Sequence, residues 1–99
     1  MACDFYFDSN YECIEHHEES FFSFVTDGLP QLQKLKANFY RDPGFTNEEC
    51  NSMVHELISI RAEIIKTKET AYIAKVLDRL ILFFSTAYIG QFSVRTVSD

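Results

Sequence analysis

The segment from Thr46 to Ile65 constrains the fold of this 99-residue chain more than any other part of the sequence. It reads T-N-E-E-C-N-S-M-V-H-E-L-I-S-I-R-A-E-I-I. Thr46 and Glu49 have the spacing of a capping box, in which each side chain accepts a hydrogen bond from the backbone N–H of the other residue. Glu48 and Glu49 also fall in the first turn, where the helix dipole favours carboxylates. We therefore predict that a helix begins here and runs to about Thr67.

The apolar residues of this segment recur at helical spacing, at Cys50, Met53, Val54, Leu57, Ile58, Ile64 and Ile65. This pattern is typical of an amphipathic helix with a wide apolar stripe. Such a stripe must be covered by other elements, and the pattern therefore predicts a helix packed inside a bundle.

Similar signals predict helices on both sides of this segment. Ser9 to Glu12 reads S-N-Y-E, a second capping box, which predicts one bent or two short helices ending near Asp27 with Gly28 in a left-handed stop. Pro30 suits the first turn of the next helix, which ends at about Arg41, before the turn signal D-P-G. Its apolar positions are Leu29, Leu32, Leu35 and Phe39. A broad apolar pattern predicts the last helix from about Ala71 to Ile89, with Gly90 as its stop.

The two ends of the chain are less regular. Cys3 to Phe7 reads C-D-F-Y-F and fits either a short extended segment or an apolar anchor. Phe92 to Val97 alternates weakly, but no second convincing strand is available to pair with it, and a tail packed on the bundle fits better. The expected fold is therefore a single all-α domain over residues 1–99. It is a compact bundle of four to five helices with a short irregular or extended C-terminal tail.

Charge is distributed unevenly along the chain, whose formal net charge is −6. No lysine or arginine precedes Lys34, whereas that segment contains seven acids. Direct nucleic-acid binding is disfavoured, because these acids would repel phosphates. A basic partner is favoured, although acidic residues also serve solubility. The candidate partner-binding residues are these acids and a neighbouring tyrosine: Asp4, Asp8, Tyr11, Glu12, Glu15, Glu18, Glu19 and Asp27.

No catalytic or metal-binding pattern stands out. Acid–base catalysis needs carboxylates in a pocket that shifts their pKa values, whereas the glutamates from Glu12 to Glu19 fit one solvated face. Zinc ligands are available at Cys13, His16, His17, Cys50 and His55, but their spacing matches no zinc-binding frame. We expect no cofactor, no metal and no enzymatic activity.

The expected compartment is a reducing cytosol. Three cysteines form no disulfide framework, and the N-terminus lacks the features of a signal peptide. The apolar run from Leu80 to Phe84 is too short to span a membrane, and no membrane association is expected.

Three stretches carry a resemblance to a known family. They are F-Y-R-D-P-G-F-T-N-E-E-C-N-S-M-V-H-E-L (Phe39 to Leu57), L-D-R-L-I-L-F-F-S-T-A-Y (Leu77 to Tyr88) and D-S-N-Y-E-C-I-E-H (Asp8 to His16). In these stretches the chain resembles cytosolic immunity proteins of bacterial contact-dependent growth inhibition systems. The resemblance implies a cognate toxin C-terminal domain as partner, bound one-to-one by a monomer. Many such toxins are nucleases, including RNases, with basic clefts that an acidic face would block. The alternative from the residues is a small acidic helical adaptor, or a nucleic-acid-mimicking inhibitor of another basic partner.

Overall fold

The fold is α+β, and the prediction of an all-α bundle is wrong. A computed structural model describes residues 3–38, 41–68 and 70–98. Its strands are β1 (Cys3–Phe7), β2 (Asn10–Ile14) and β3 (Arg95–Ser98), and its α-helices are α1 (Pro30–Ala37), α2 (Asn47–Ile64) and α3 (Ala74–Ile89). Two further segments are 3₁₀ helices, a long one at His16–Phe24 and a single turn at Ala71–Ile73. The strands form one antiparallel sheet in the order β2-β1-β3.

An N-terminal hairpin replaces the first part of the helical segment predicted from Ser9 to about Asp27, and the later part of that segment is the 3₁₀ helix His16–Phe24. In β1, Cys3, Phe5 and Phe7 are buried, whereas Asp4 and Tyr6 lie on the opposite face. The chain then reverses through Asp8 and Ser9, so that Phe7 pairs with Asn10. Asp8 has a φ of 51°, a left-handed conformation that aspartate tolerates better than most residues. The predicted capping box at S-N-Y-E is thus a turn and the start of a strand.

The C-terminal segment is a strand, which corrects the prediction of a packed tail. β3 lies antiparallel to β1, with Tyr6 opposite Arg95 and Asp4 opposite Val97. Just before β3, Val94 exchanges two backbone hydrogen bonds of 2.8 Å with Phe45. The prediction failed because Cys3 to Phe7 had not been assigned as the strand that this segment needs.

The predicted helix starts at Thr46 and Pro30 are confirmed. Thr46 Oγ1 accepts a hydrogen bond of 3.2 Å from the Glu49 N–H, and Glu49 Oε1 accepts one of 2.9 Å from the Thr46 N–H. Helix α2 ends at Ile64, a turn earlier than predicted. Pro30 is the first residue of α1, which ends at Ala37, and Phe39 lies outside the described residues.

Gly28 and Gly90 were predicted to end helices in a left-handed conformation, and this prediction is wrong. None of the glycines has a positive φ, and after α3 the left-handed residue is Gln91, with a φ of 63°. Gly90 is needed for a different reason, because a Cβ atom there would lie 2.8 Å from the ring of Phe92. The Asn47 side chain donates to the carbonyls of Ala87, Tyr88 and Phe92 at 3.1–3.3 Å, and so ties the end of α3 to the start of α2.

The core lies between the sheet and the helices, and aromatic rings join the two. The ring centroid of Phe5 lies 5.6 Å from that of Phe84, and the centroid of Phe7 lies 4.7 Å from that of Phe83. Phe45 packs edge-on against Phe84 at 5.7 Å. Aromatic pairs at these separations add to the stabilisation from burial. They hold β1 against α3, and among the described residues no helix covers the other side of the sheet.

Glu56 is buried in the middle of α2 and caps the start of α1. Its carboxylate accepts hydrogen bonds from the backbone N–H groups of Gln31 at 3.1 Å and Leu32 at 2.9 Å. Helix α1 has no side-chain cap of its own at Leu29. Glu56 therefore satisfies donors that a helix N-terminus leaves without intrahelical partners.

We predict that Glu56→Ala lowers the free energy of unfolding by about 2–3 kcal/mol, because two N–H groups lose a charged acceptor. Glu63→Ala is the control, since Glu63 is an exposed acid of the same helix whose pairing with Lys66 contributes about 0–1 kcal/mol. Urea unfolding measures both variants. Equal stability of the two variants would contradict the capping role.

Candidate functional site

The predicted partner-binding residues fall on two parts of the molecule. Six of the seven acids lie on the hairpin and at the start of the long 3₁₀ segment, and we call this set the acidic region: Asp4, Asp8, Glu12, Glu15, Glu18 and Glu19. Asp27 instead precedes α1, where its carboxylate accepts a hydrogen bond of 2.9 Å from Gln33. The structure thus places Tyr11 and six acids on neighbouring elements. Asp27 lies on a different segment, between the long 3₁₀ helix and α1.

Arg79 of α3 lies within the acidic region and binds two of its members. Its guanidinium donates two hydrogen bonds to the Glu18 carboxylate, at 2.6 and 2.8 Å. It also donates to Glu12 Oε1 at 3.2 Å and to the carbonyl of Cys13 at 3.3 Å. The Arg79 hydrogen bonds lower the pKa of Glu18, and those from Glu18 raise the pKa of Arg79. Glu12 and Glu18 are therefore structural ion-pair partners as well as acidic surface residues.

The sequence did not reveal the role of Arg79. Its partners are more than sixty positions away in the sequence, and nothing local to Leu77–Leu80 indicates them. The available signal was the absence of any base before Lys34, since partly buried carboxylates in that segment need a cation from elsewhere.

The start of the 3₁₀ segment is ordered by the acids themselves. The backbone N–H of Glu15 donates to Glu18 Oε1 at 3.1 Å. His17 Nδ1 lies 3.6 Å from Glu15, and His16 Nδ1 lies 3.5 Å from Glu19. The capping interaction predicted for Ser9 to Glu12 is thus found six residues later, at E-H-H-E.

One group in the described residues has ligand atoms close enough for a metal ion. Atoms of Glu15, His17 and Glu18 lie within 4.8 Å of one another. Glu18, however, already binds Arg79 through both oxygens, and the guanidinium charge opposes a second cation. Within the same part of the chain, Cys13, Cys50 and His55 join no such group, so the zinc ligands considered from the sequence are not assembled.

Tyr11 stands on the side of the sheet that faces away from the helices, with 53% of its surface exposed. Its hydroxyl donates to Asp4 Oδ1 at 2.8 Å, and its ring centroid lies 5.3 Å from that of Tyr6. The guanidinium of Arg95 lies 4.7 Å from the centroid of Tyr6. The hydrogen bond to Asp4 raises the pKa of Tyr11, because ionisation would place a phenolate beside a carboxylate.

Tyr6 and Arg95 were not among the predicted site residues. The alternation of C-D-F-Y-F was the signal available for Tyr6, since it places Asp4 and Tyr6 on one face. Arg95 joins them only through the pairing of β3 with β1.

The thiols of Cys13 and Cys50 are not activated as nucleophiles. Burial raises the pKa of Cys50 to about 11 and is also the main reason that the pKa of Cys13 is raised. A nucleophilic cysteine needs the opposite shift, since the thiolate is the reactive form.

Comparisons with protein-family models, with curated proteins and with solved structures found no match. Among the described residues, no helix has both the length and the apolar character that a membrane span requires.

The Arg79 contacts predict a pH-dependent contribution to stability. Glu18 has a lowered pKa in the folded protein, so its contribution is present above its ordinary pKa of 4.5 and is lost as the pH falls through the folded value. We expect Glu18→Gln to lower the free energy of unfolding by about 1–2 kcal/mol at pH 7, a range reduced for solvent screening because Arg79 is 38% exposed.

The difference between wild type and Glu18→Gln should shrink as the pH falls below 4.5. Urea unfolding from pH 3 to pH 7 measures it, with Glu63→Gln as the control for an exposed glutamate. A difference that is the same at every pH would contradict the Arg79–Glu18 interaction.

Proposed function

We propose that this chain is a non-catalytic inhibitor, a cytosolic immunity protein that binds a toxin domain of nuclease type, in particular an RNase. The observation that carries the proposal is the charge asymmetry, with seven acids and no base in the first 33 residues of a chain of net charge −6. A nuclease cleft is basic because it binds phosphates, and an acidic surface is attracted to it. The resemblance to immunity proteins of contact-dependent growth inhibition systems agrees with this proposal.

Within this proposal the acids have different roles. Glu12 and Glu18 are held by Arg79 and fix the hairpin against the 3₁₀ segment. Asp8, at the tip of the hairpin, and Glu15 are exposed, and they present their charge to the toxin. The inhibitor acts by occupying the positions that substrate phosphates would take, and it binds as a monomer to one toxin domain.

Electrostatic attraction also predicts how binding responds to salt. Association steered by opposite charges is fastest at low ionic strength and slows as salt screens the attraction.

The growth test expresses toxin domains encoded beside this gene, with and without the protein. We expect rescue from one toxin, and we expect the double reversal Asp8→Lys with Glu15→Lys to abolish it. Close charge pairs across such an interface contribute about 1.5–7 kcal/mol, so affinity should fall at least about tenfold. The control is Glu63→Lys, which reverses an exposed acid of α2 outside the acidic region.

If the variant with both reversals rescued growth as well as the wild type does, the acidic region would not be the binding site. Rescue from none of the toxins would favour the alternative, an acidic adaptor or nucleic-acid-mimicking inhibitor of another basic partner.

A further inference from the structure

The sheet has an outer face that no helix covers in the described part of the chain. It carries the side chains that alternate with the buried ones, namely Asp4, Tyr6, Tyr11, Cys13, Arg95 and Val97. We call these residues the outer sheet face. Tyr11 and Val97 are 53% and 39% exposed. Tyrosine and arginine are the residues on which binding energy most often concentrates in protein interfaces.

Four of these side chains contact one another. Tyr11 is fixed by its hydrogen bond to Asp4 and by its packing against Tyr6, and Tyr6 lies beneath the Arg95 guanidinium. Ordering a side chain on binding costs conformational entropy, and side chains ordered in advance avoid that cost. The row Asp4–Tyr11–Tyr6–Arg95 therefore has the preorganisation expected of a binding surface.

On the β2 edge of the sheet, the backbone groups of Cys13 already have partners within the protein. The outward carbonyl of Cys13 accepts from Arg79, and the Cys13 N–H donates to Glu12 Oε1 at 3.0 Å. A partner strand would need these groups to continue a hydrogen-bonded ladder along β2. An added strand would have to displace the Cys13 contacts, which favours binding on the face over binding at this part of the edge.

We propose that the outer sheet face docks an arginine-bearing loop of the basic protein partner, with its guanidinium stacked on the exposed Tyr11 ring and hydrogen-bonded to the Asp4 carboxylate. This proposal rests on the proposed function and names the place where the partner binds. The Tyr11 hydroxyl uses Asp4 Oδ1, and within the described residues Oδ2 has no hydrogen-bond partner and can accept from an incoming donor. Arginine suits such a site, because it pairs with carboxylates and stacks on aromatic rings.

Charge complementarity selects the occupant and its position. Asp8 at the tip of the hairpin adds negative charge near Asp4 and Tyr11, whereas Glu12 pairs with Phe5, lies on the opposite face of the sheet and binds Arg79. Arg95 already occupies the Tyr6 end of the row, so an incoming cation is repelled there and directed to the Tyr11 end. A nucleic-acid strand, which could also stack on the tyrosines, is disfavoured by the same acids.

The test uses the full ¹⁵N-labelled chain and a blocked peptide in which four arginines alternate with glycine. The same peptide with citrulline in place of arginine controls for charge, and oligodeoxythymidine tests for nucleic acid. We expect the arginine peptide to shift the amide signals of Asp4, Tyr11 and Cys13, and the other two probes to leave them in place.

The decisive variant is Tyr11→Thr, which removes the ring and keeps a residue that favours strands. We expect it to weaken binding of the arginine peptide at least about fivefold, as for truncation of an interface anchor. Tyr72→Thr is the matched control, since Tyr72 is 62% exposed but lies in the 3₁₀ turn before α3. Asp4→Asn should weaken binding, whereas Asp27→Asn, with the same charge change before α1, should not.

The ¹⁵N spectrum reports whether each variant keeps the hairpin, and Asp4→Asn provides the test if Tyr11→Thr unfolds it. Equal affinities for Tyr11→Thr and Tyr72→Thr would overturn the proposal, as would shifts confined to Glu15, Glu19 and Asp27. Shifts produced by oligodeoxythymidine at the same amides would overturn the choice of a protein partner. These outcomes are independent of toxin rescue, which tests the proposed function and not the place of binding.

Discussion

Phe5 packs against Phe83 and Phe84, and this contact determines which way every side chain of the hairpin points. The ring centroid of Phe5 lies 6.3 and 5.6 Å from those of the two α3 rings. Because side chains alternate along a strand, burying Phe5 places Asp4 and Tyr6 on the outside. A slip of one residue would bury Asp4 and Tyr6 and expose three core residues, so the register is strongly specified. The outer sheet face is therefore a consequence of the core.

Arg79 makes a second connection between the hairpin and the helices, of a different kind. It joins Glu12 and the Cys13 carbonyl on β2 to Glu18 of the 3₁₀ segment. That segment, His16–Phe24, is long for a 3₁₀ helix, which seldom exceeds three or four residues. External contacts are thus needed to hold it. The Arg79–Glu18 pair and the burial of Phe21 provide them. The acids of the first third therefore contribute to the structure as well as to the charge of the surface.

The helices were predictable where their signals are local, and the sheet was not. Thr46, Glu49 and Pro30 mark helix starts within a few residues, and the structure confirms those starts. The hairpin was missed because S-N-Y-E fits the sequence pattern of a capping box. The same residues also fit a two-residue turn at Asp8 and Ser9 followed by a strand. The deciding interaction is the pairing of Cys3–Phe7 with Arg95–Ser98 from the other end of the chain. Pairing between two segments so far apart in the sequence leaves no local signal. Because this pairing was not predicted, Arg95 and Tyr6 were missing from the predicted site.

The distribution of acids also bears on how such a surface distinguishes partners. Charge attraction speeds association with any basic surface and by itself selects poorly among them. Of the six carboxylates in the acidic region, Glu12 and Glu18 are already neutralised in part by Arg79, which reduces the charge available for attraction. Selection must then come from groups with a fixed geometry. The Tyr11–Asp4 pair is such a group, because a ring and a carboxylate held together accept a planar cation in few orientations. In the function that we propose, the acids attract a basic partner to the hairpin, and the row Asp4–Tyr11–Tyr6–Arg95 determines which basic partner stays bound.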